Sequence, residues 1–349
     1  MRAIDFFCGG GGMTYGLRQA GINVIAGVDA DASVRDTYEE NNPGTAFIHA
    51  DIKKLRNNFF ERHFGVTKND DDLLLVGCSP CQYYSIINTD RTKAMKTKNL
   101  LLSFFRFIDY YRPGFVLVEN VPGIEFAKDS VLPKFLKKLS SIGYVFEKGV
   151  KDLSYYGVPQ SRKRFSLIAS RLNVPLSLPT PDASQALVGD FIGKGHGFPS
   201  IPAGHHDLTD FKHTCAGLDE KSLARLRLTP HNGGGRLSWA NVPDLQIDCY
   251  IGKDHSFKDN YGRMWWNRPA PTITTKFFSV SSGRFSHPDE DRPISLREGA
   301  TLQTFPIDYV FRADSISAIA KMIGNAVPCE YARRLGLHVQ TLIHQHGAV

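Results

Sequence analysis

The first half of the sequence predicts an open α/β fold, with helices covering both faces of a mostly parallel sheet. Short apolar runs alternate with helix-like segments as far as about residue 170, and this order is typical of strand–helix–strand units. Four successive predicted strands are each followed by a polar or sulfur-containing side chain: Asp29, Asp51, Cys81 and Glu119. Ligands bind at the carboxyl ends of the strands in such sheets, so we expect a crevice with chemistry at that edge.

Each element follows from the spacing of apolar residues and from the glycine and proline residues between them. The predicted strands are 3–7, 24–28, 47–50, 73–76, 115–118 and 164–168. The predicted helices are 15–20, 33–41, 100–111, 131–142 and 330–344, and helical character returns from Ser315. Gly9 to Gly12 follow the first strand, where they allow a ligand to approach the backbone closely.

Beyond about residue 175 the composition and the periodicity of the sequence change. Pro, Gly and His become frequent, and neither a helical nor a strand period persists for long. We therefore predict a smaller, irregular, mostly β domain over 178–294. A larger domain over 1–177 is predicted to be completed by 324–349, with 295–323 as a hinge.

The composition is that of an ordinary globular protein. Among 349 residues, 42% are hydrophobic and 22% charged, and no window approaches a membrane-spanning helix. Six cysteines without a disulfide framework favour a reducing compartment, so we expect a cytoplasmic protein. The net charge of +7 and the pI of about 9.0 fit a polyanionic partner, although many basic enzymes never bind nucleic acid.

Two local patterns leave alternatives open. Cys78 and Cys81 form a C-x-x-C pair, but no second pair at zinc-finger spacing exists, so we expect no metal; a redox motif stays open without further support. The glycine run lacks the third glycine of the dinucleotide fingerprint. Asp29 suits the two hydroxyls of a ribose. The pattern indicates a nucleoside-bearing cofactor, with or without a pyrophosphate.

Seven short motifs occur in a fixed order along nearly the whole chain. They are Asp5–Gly12, Pro80–Gln82, Glu119–Val121, Gln160–Arg164, Arg268–Thr274, Arg297–Glu298 with Leu302–Pro306, and Gly324–Pro328. In this order they resemble the DNA (cytosine-5) methyltransferase family of the bacterial restriction–modification type. The resemblance implies a Rossmann-like, S-adenosylmethionine-dependent methyltransferase sheet in the larger domain. It also implies that the irregular region is the target-recognition domain.

The resemblance further implies a set of catalytic residues. Cys81 is the thiolate that adds to carbon 6 of a flipped-out cytosine, so that carbon 5 attacks the methyl group of S-adenosylmethionine. Glu119 matches the acid that hydrogen-bonds N3 of the base. Arg162 matches the arginine that holds O2, and Arg164 the arginine that supports the site. The cofactor product is S-adenosylhomocysteine.

Cofactor and DNA contacts are implied in the same way. The cofactor site is expected to comprise Phe7, Gly9, Gly10, Gly11, Gly12, Asp29, Asp51, Ile52, Pro80, Leu100 and Asn325. DNA contacts are expected from Ser85, Arg91 and Thr274. The partner is double-stranded DNA, with a cognate restriction endonuclease that acts on the same site without binding this chain. The chain is expected to be a monomer.

Four other functions fit these motifs less well. The nearest is a tRNA cytosine-5 methyltransferase on the same fold, although Pro80-Cys81-Gln82 is here followed by Tyr-Tyr-Ser. A methyltransferase acting on an amino nitrogen would need a different string at this strand end. A catalytically silent DNA-binding protein would have no need of intact Cys81, Glu119 and Arg162. A nicotinamide oxidoreductase gives the Pro80-Cys81-Gln82 string no role.

Overall fold

The computed structural model describes residues 1–80, 99–253 and 255–347. The chain divides into two compact units. The first, the sheet unit, consists of Met1–Asp152, Lys163–Pro181 and Val327–Val349, and the second, the irregular unit, of Leu153–Arg162 and Asp182–Ala326. These bounds differ from the predicted division chiefly at 153–162 and at 295–323, which both belong to the irregular unit.

The sheet unit is built on a seven-stranded sheet. Its strands are β1 Arg2–Phe6, β2 Asn23–Asp29, β3 Ala46–His49, β4 Leu73–Gly77, β5 Phe115–Asn120, β6 Val145–Asp152 and β8 Lys163–Ser170. The short strands β7 Gln160–Ser161 and β9 Ala270–Pro271 belong to the irregular unit. The sheet order is β3-β2-β1-β4-β5-β8-β6. Strands β1 to β5 are parallel, and β8 runs antiparallel to both β5 and β6. The open, mostly parallel sheet predicted from the sequence is confirmed.

Six of the ten helices in the described residues lie close to predicted positions. They are α1 Gly12–Gln19, α2 Arg35–Asn41, α3 Phe59–Phe64, α4 Leu100–Tyr111, α5 Gly123–Phe126, α6 Leu132–Ser141, α7 Glu220–Leu228, α8 Leu296–Leu302, α9 Ile316–Asn325 and α10 Cys329–Gly347. Helices α3, α5, α7 and α8 and strands β6, β7 and β9 were not predicted. Strand β6 was missed because its sequence, VFEKGVKD, carries two pairs of charged residues, as suits an edge strand, and lacks a longer apolar run.

Alternate residues along the strands show that helices cover both faces of the sheet. Phe6 on β1 packs against Phe104 of α4, with ring centroids 5.2 Å apart. Its neighbour Asp5 points the other way and accepts a hydrogen bond from Thr14 of α1. On β8, Ser166 likewise bonds the hydroxyl of Tyr331 in α10. The doubly covered, Rossmann-like sheet predicted from the sequence is therefore confirmed.

The irregular unit has little regular β structure within the described residues. Its only strands there are the two-residue β7 and β9, which pair with each other. The rest of its described chain forms three α-helices, short 3-10 segments, turns and irregular loops. The prediction of an irregular region is confirmed, but its mostly β character is wrong. The reason is that buried arginines, in place of neighbouring strands, satisfy backbone carbonyls. Arg236, for example, donates to the carbonyls of Phe257 and Ser256.

Candidate active site

The carboxyl ends of five neighbouring strands lie at one edge of the sheet unit. Because β3, β2, β1, β4 and β5 are adjacent and parallel, the segments that follow them share this edge. The residues brought to it are Phe7 after β1, Asp29 at the end of β2, Asp51 after β3, Ser79 after β4 and Glu119 near the end of β5. The structure therefore brings Asp29, Asp51 and Glu119, which the sequence predicted at strand ends, to one edge of the sheet.

The turn after β1 is fixed by the carboxylate of Asp29. The N–H of Gly9 donates to Asp29 Oδ2 at 2.9 Å, and the N–H of Asp31 donates to Oδ1 at 2.8 Å. Phe7 has a φ of 66° and Gly9 a φ of 50°, so the chain turns sharply with the Phe7 ring half-buried. No heavy atom lies within 4 Å of a Cβ placed on Gly9. The turn therefore leaves open space next to an aromatic ring and a carboxylate.

The carboxyl groups of Asp5 and Asp29 both lie near this turn. Asp5 is fully buried and accepts a hydrogen bond of 2.7 Å from the Thr14 hydroxyl, which in turn lies 2.9 Å from the Tyr38 hydroxyl. Burial raises the pKa of Asp5 to about 7 and that of Cys8 well above its usual range. Burial also raises the pKa of Asp29, against the opposing effect of the N–H groups that it accepts. The surroundings thus favour a cationic ligand over an anionic one.

The segment after β3 supplies a second part of the edge. Asp51 Oδ1 accepts the N–H of Lys53 at 2.9 Å, and Ile52 is buried. The carbonyl of Ile52 accepts a hydrogen bond of 2.7 Å from Arg106 of α4, which fixes the segment against that helix. Leu100, at the start of the same helix, is half-buried. The side chains of Ile52 and Leu100 form an apolar surface on this segment, which also carries the Asp51 carboxylate.

Two sequence-predicted cofactor residues are placed differently from the rest. Pro80 is exposed at the end of the described segment that follows β4. Asn325 is exposed at the end of α9, in the irregular unit. The other nine expected cofactor residues belong to the sheet unit.

The end of β5 carries an ion pair and an anchor for the preceding loop. Glu119 Oε1 lies 3.0 Å from Arg164 Nε, and the two side chains are only 8% and 13% exposed. The adjacent Asn120 donates from Nδ2 to the carbonyl of Ser79 at 3.2 Å and to its hydroxyl at 3.3 Å. Cys81 follows two residues after Ser79. Cys81, Ser85 and Arg91 themselves lie outside the described residues.

Arg162 is buried in the irregular unit, where it binds backbone carbonyls. Its guanidinium donates to the carbonyls of Ile273, Gly324 and Ala326 at 3.0, 3.1 and 3.1 Å. The side chain is 2% exposed. Arg162 thus joins the segments of the fifth and seventh predicted motifs to its own.

Two glutamines complete this network, and the sequence analysis gave neither a role. Gln160 donates to the Leu302 carbonyl and to Gln303 Oε1, both at 2.8 Å, and accepts the N–H of Ile273. Gln303 donates to the carbonyl of Ile323 at 2.6 Å. Both side chains are fully buried. The sequence signal for a role of these glutamines was their position inside two of the recognised motifs. Their structural role follows from burial, because a buried amide needs several hydrogen-bond partners.

Thr274 is half-buried in the same unit. Its hydroxyl accepts the N–H of Lys276 at 3.3 Å, a local turn of the kind that threonine favours. The expected DNA contact of Thr274 is not tested by this arrangement and stays a prediction.

Five cysteines other than Cys81 are described, and no disulfide joins any two of them. Burial raises the pKa of Cys8, Cys215 and Cys329, which keeps these thiols protonated and unreactive. Cys249 is exposed. Across the described ranges there is no group of three or more potential metal ligands, and no helix long and apolar enough to cross a membrane.

Comparison with known proteins places these features in one family. The family model described as C-5 cytosine-specific DNA methylase matches residues 1–341. The chain belongs to this family. The function and the enzyme class predicted from the ordered motifs, methyl transfer to carbon 5 of cytosine in DNA, are thereby confirmed.

Individual relatives of this C-5 cytosine-specific DNA methylase match over most of their length. The Type II methylase M.HgiDII of Herpetosiphon aurantiacus is 34% identical over 349 residues, covering 97% of this chain and 95% of the relative. The Type II methyltransferase M1.BsuMI of Bacillus subtilis (strain 168) is 31% identical and covers 96% and 79%. Among solved structures, a prophage-encoded E. coli protein described as a DNA modification methyltransferase aligns with a TM-score of 0.68 at 22% identity, covering 99% of both chains. The last likeness is one of fold.

Proposed function

We propose that this methylase acts on a cytosine flipped out of duplex DNA, through a covalent bond between the Cys81 sulfur and carbon 6 of the base. The observation that carries the proposal is the end of β5. There the Glu119–Arg164 ion pair lies beside Asn120, whose side chain anchors Ser79, two residues before Cys81. An acid, a cation and a nucleophile are thereby assigned to adjacent strand ends, as nucleophilic catalysis requires.

The steps follow from the chemistry of cytosine. The Cys81 thiolate adds to carbon 6, and the electron pair that enters the ring makes carbon 5 nucleophilic. Hydrogen bonds from Glu119 at N3 and from an arginine at O2 stabilise the charge that collects there. Once carbon 5 has taken the methyl group, a base removes the proton from carbon 5. The carbon–sulfur bond then breaks, and Cys81 leaves as a thiolate.

The cofactor assigned to this reaction is S-adenosylmethionine, which when bound supplies an electrophilic methyl group on a sulfonium sulfur. The edge of the sheet unit fits such a molecule. Phe7 offers an aromatic face, and Asp29 retains lone pairs for ribose hydroxyls beyond the two N–H groups that it accepts. The carboxyls of Asp5, Asp29 and Asp51 suit a cation, and residues 7–12 carry no basic side chain for a pyrophosphate.

The hydrogen bonds favour an exchange of the two arginine roles. The Arg162 guanidinium donates to three carbonyls of the irregular unit, which leaves few N–H groups for a hydrogen bond to a base. Arg164 instead lies 3.0 Å from Glu119 and is partly exposed. We therefore assign the contact with O2 to Arg164, and to Arg162 a positioning role that holds motif segments of the irregular unit together.

The proposal also covers the DNA target and the partners of the enzyme. The names of the relatives as Type II methylases support a short, specific duplex target and a cognate restriction endonuclease that shares it. The exposed basic residues and net charge of +7 support binding of duplex DNA by this chain alone. Transfer to tRNA remains the runner-up, because it uses the same nucleophile.

The test is methylation of plasmid DNA in a host that lacks cytosine methylation. The native chain, Cys81→Ser and the matched control Cys249→Ser would be expressed, and the DNA analysed by bisulfite sequencing and nucleoside mass spectrometry. We expect 5-methylcytosine in one short motif with the native chain and with Cys249→Ser, and none with Cys81→Ser. Unmethylated DNA together with 5-methylcytosine in tRNA would establish the runner-up. Persistence of methylation in Cys81→Ser would refute the covalent mechanism.

A further inference from the structure

The irregular unit contains a tryptophan that two arginines contact through its ring. The guanidinium carbon of Arg284 lies 4.1 Å from the Trp265 ring centroid, and that of Arg268 lies 4.5 Å from it. Both distances are within the range of strong cation–π contacts. Arg284 is 7% exposed, whereas Arg268 is exposed to solvent. The pair therefore has an inner and an outer member.

Trp265 is held firmly in place. A Cβ built on Gly233 would lie 1.7 Å from Trp265 Nε1, so the glycine backbone packs directly against the indole. Arg284 fixes the same loop, because its Nη1 donates to the carbonyls of Gly233 and Gly234 at 2.8 and 2.9 Å. Its Nε donates to Asp259 at 2.9 Å. The indole is thus a rigid surface for the outer arginine.

The backbone that carries Arg268 is also fixed. The carbonyl of Arg268 accepts the N–H of Val188 at 3.0 Å, and the carbonyl of Trp266 accepts that of Gly189 at 2.8 Å. On the other side, the N–H of Ala270 donates to the Pro159 carbonyl at 2.9 Å. The Arg268 side chain therefore extends from a backbone bonded on both sides and rests on an immobile ring.

The charge of Arg268 is not compensated within the described residues. Other arginines of the unit have carboxylate partners: Arg263 pairs with Asp291, Arg284 with Asp259 and Arg292 with Glu298. In the part of the chain that the structure describes, no carboxylate pairs with Arg268. A guanidinium that is ordered by stacking, exposed and uncompensated loses little entropy when it binds an external anion.

We propose that Arg268, held against Trp265, binds a backbone phosphate of the DNA substrate. The inference rests on the proposed function, since DNA is the polyanion that this enzyme must bind. A phosphate suits the planar, fork-shaped array of donors on a guanidinium. Contacts of this kind fix the register of a protein on the duplex without reading its sequence.

The experiment measures how DNA binding depends on salt. A fluorescein-labelled duplex that contains the methylated motif would be titrated with the full chain by anisotropy between about 50 and 300 mM salt. The variants are Arg268→Gln, Arg268→Lys and the matched control Arg227→Gln, which removes an exposed arginine of α7 that the structure does not stack on an aromatic ring. Thermal unfolding of each variant checks that its fold is retained.

We expect Arg268→Gln to make the slope of log affinity against log salt less negative by about 0.9, which is about an 8-fold loss of affinity at 0.1 M salt. Arg268→Lys retains the charge and most of the slope but binds a few-fold more weakly, because it lacks the planar fork. Arg227→Gln should leave the slope near that of the native chain.

Three results would overturn the proposal. An unchanged slope in Arg268→Gln shows that the stack is surface packing only. An equal loss in Arg227→Gln shows a diffuse effect of charge. A changed base preference in the methylated motif of Arg268→Gln assigns Arg268 to a base edge instead of a phosphate. If the native chain neither binds nor methylates duplex DNA, the proposed function itself fails, which separates that failure from a failure at Arg268.

Discussion

Removal of the Glu298 charge should destabilise the irregular unit by several kcal/mol. Glu298 is fully buried and accepts two hydrogen bonds from Arg292, at 2.7 and 2.9 Å, and one from the N–H of Ser295 at 2.7 Å. Burial by itself would raise the pKa of Glu298, but the bonds from Arg292 outweigh it and lower the pKa to about 2, against an ordinary 4.5. That difference corresponds to about 3 kcal/mol of stability at neutral pH.

Glu298→Gln keeps the shape of the side chain but leaves Arg292 with a buried, partly unpaired charge. Breaking such a pair costs about 3–5 kcal/mol, and the remaining bond from Arg292 to Glu290 places this site at the lower end. The contribution of Glu298 is present above its unfolded pKa and is lost as the pH falls toward 2. From the two pKa values, about 3 kcal/mol at pH 7 should shrink to about 2 kcal/mol at pH 3.5.

The assay is urea unfolding followed by tryptophan fluorescence at both pH values. All three tryptophans, Trp239, Trp265 and Trp266, lie in the irregular unit, so the signal reports on the unit that contains Glu298. Glu220→Gln, an exposed acid in the first turn of α7, is the control and should cost less than about 1 kcal/mol. A loss in Glu298→Gln no larger than in the control would refute the reasoning, as would a difference that grows at pH 3.5.

Three more outcomes follow from buried groups. Burial raises the pKa of Asp5 to about 7, so the native state keeps a proton that the unfolded chain releases above about pH 4. Relative to Asp5→Asn, native stability should fall by about 3 kcal/mol from pH 4 to 7 in paired urea titrations, and a pH-independent difference would contradict this. Arg162→Lys should lower stability by about 1–3 kcal/mol because carbonyls lose donors, whereas Arg164→Lys should chiefly slow single-turnover methylation; equal losses in melting temperature would contradict the assigned roles. Under native conditions iodoacetamide should modify Cys249 but not the buried thiols, as mass spectrometry of peptides would show; the buried thiols are Cys8, Cys215 and Cys329.

The sheet unit was largely predictable because its signals are local. Buried parallel strands such as β4 read as continuous apolar runs, and α4 was predicted at its observed bounds, Leu100–Tyr111. Strand β6 was missed because a charged edge strand carries no such run. The edge where Asp29 and Glu119 lie was also predictable, since it follows from strand order alone.

The irregular unit was not predictable in the same way, since the interactions that stabilise it join residues far apart in sequence. Arg162 donates to a carbonyl 162 positions later in the chain, and no periodic pattern records such a bond. The family resemblance assigned Arg162 to O2 of the base and gave no indication of its carbonyl partners. Separating its role from that of Arg164 required the hydrogen-bond geometry, which only the folded chain supplies.

The arginine-to-carbonyl bonds of the irregular unit have a consequence for its evolution. A carbonyl acceptor is the same whichever side chain its residue carries, so Arg236 and Arg263 specify the path of the loops they bind without constraining the loop sequence. Strand pairing, by contrast, ties each position to a neighbour across the ladder. The loops of this unit can then diverge in sequence at every residue except a few arginines while their backbone path is retained.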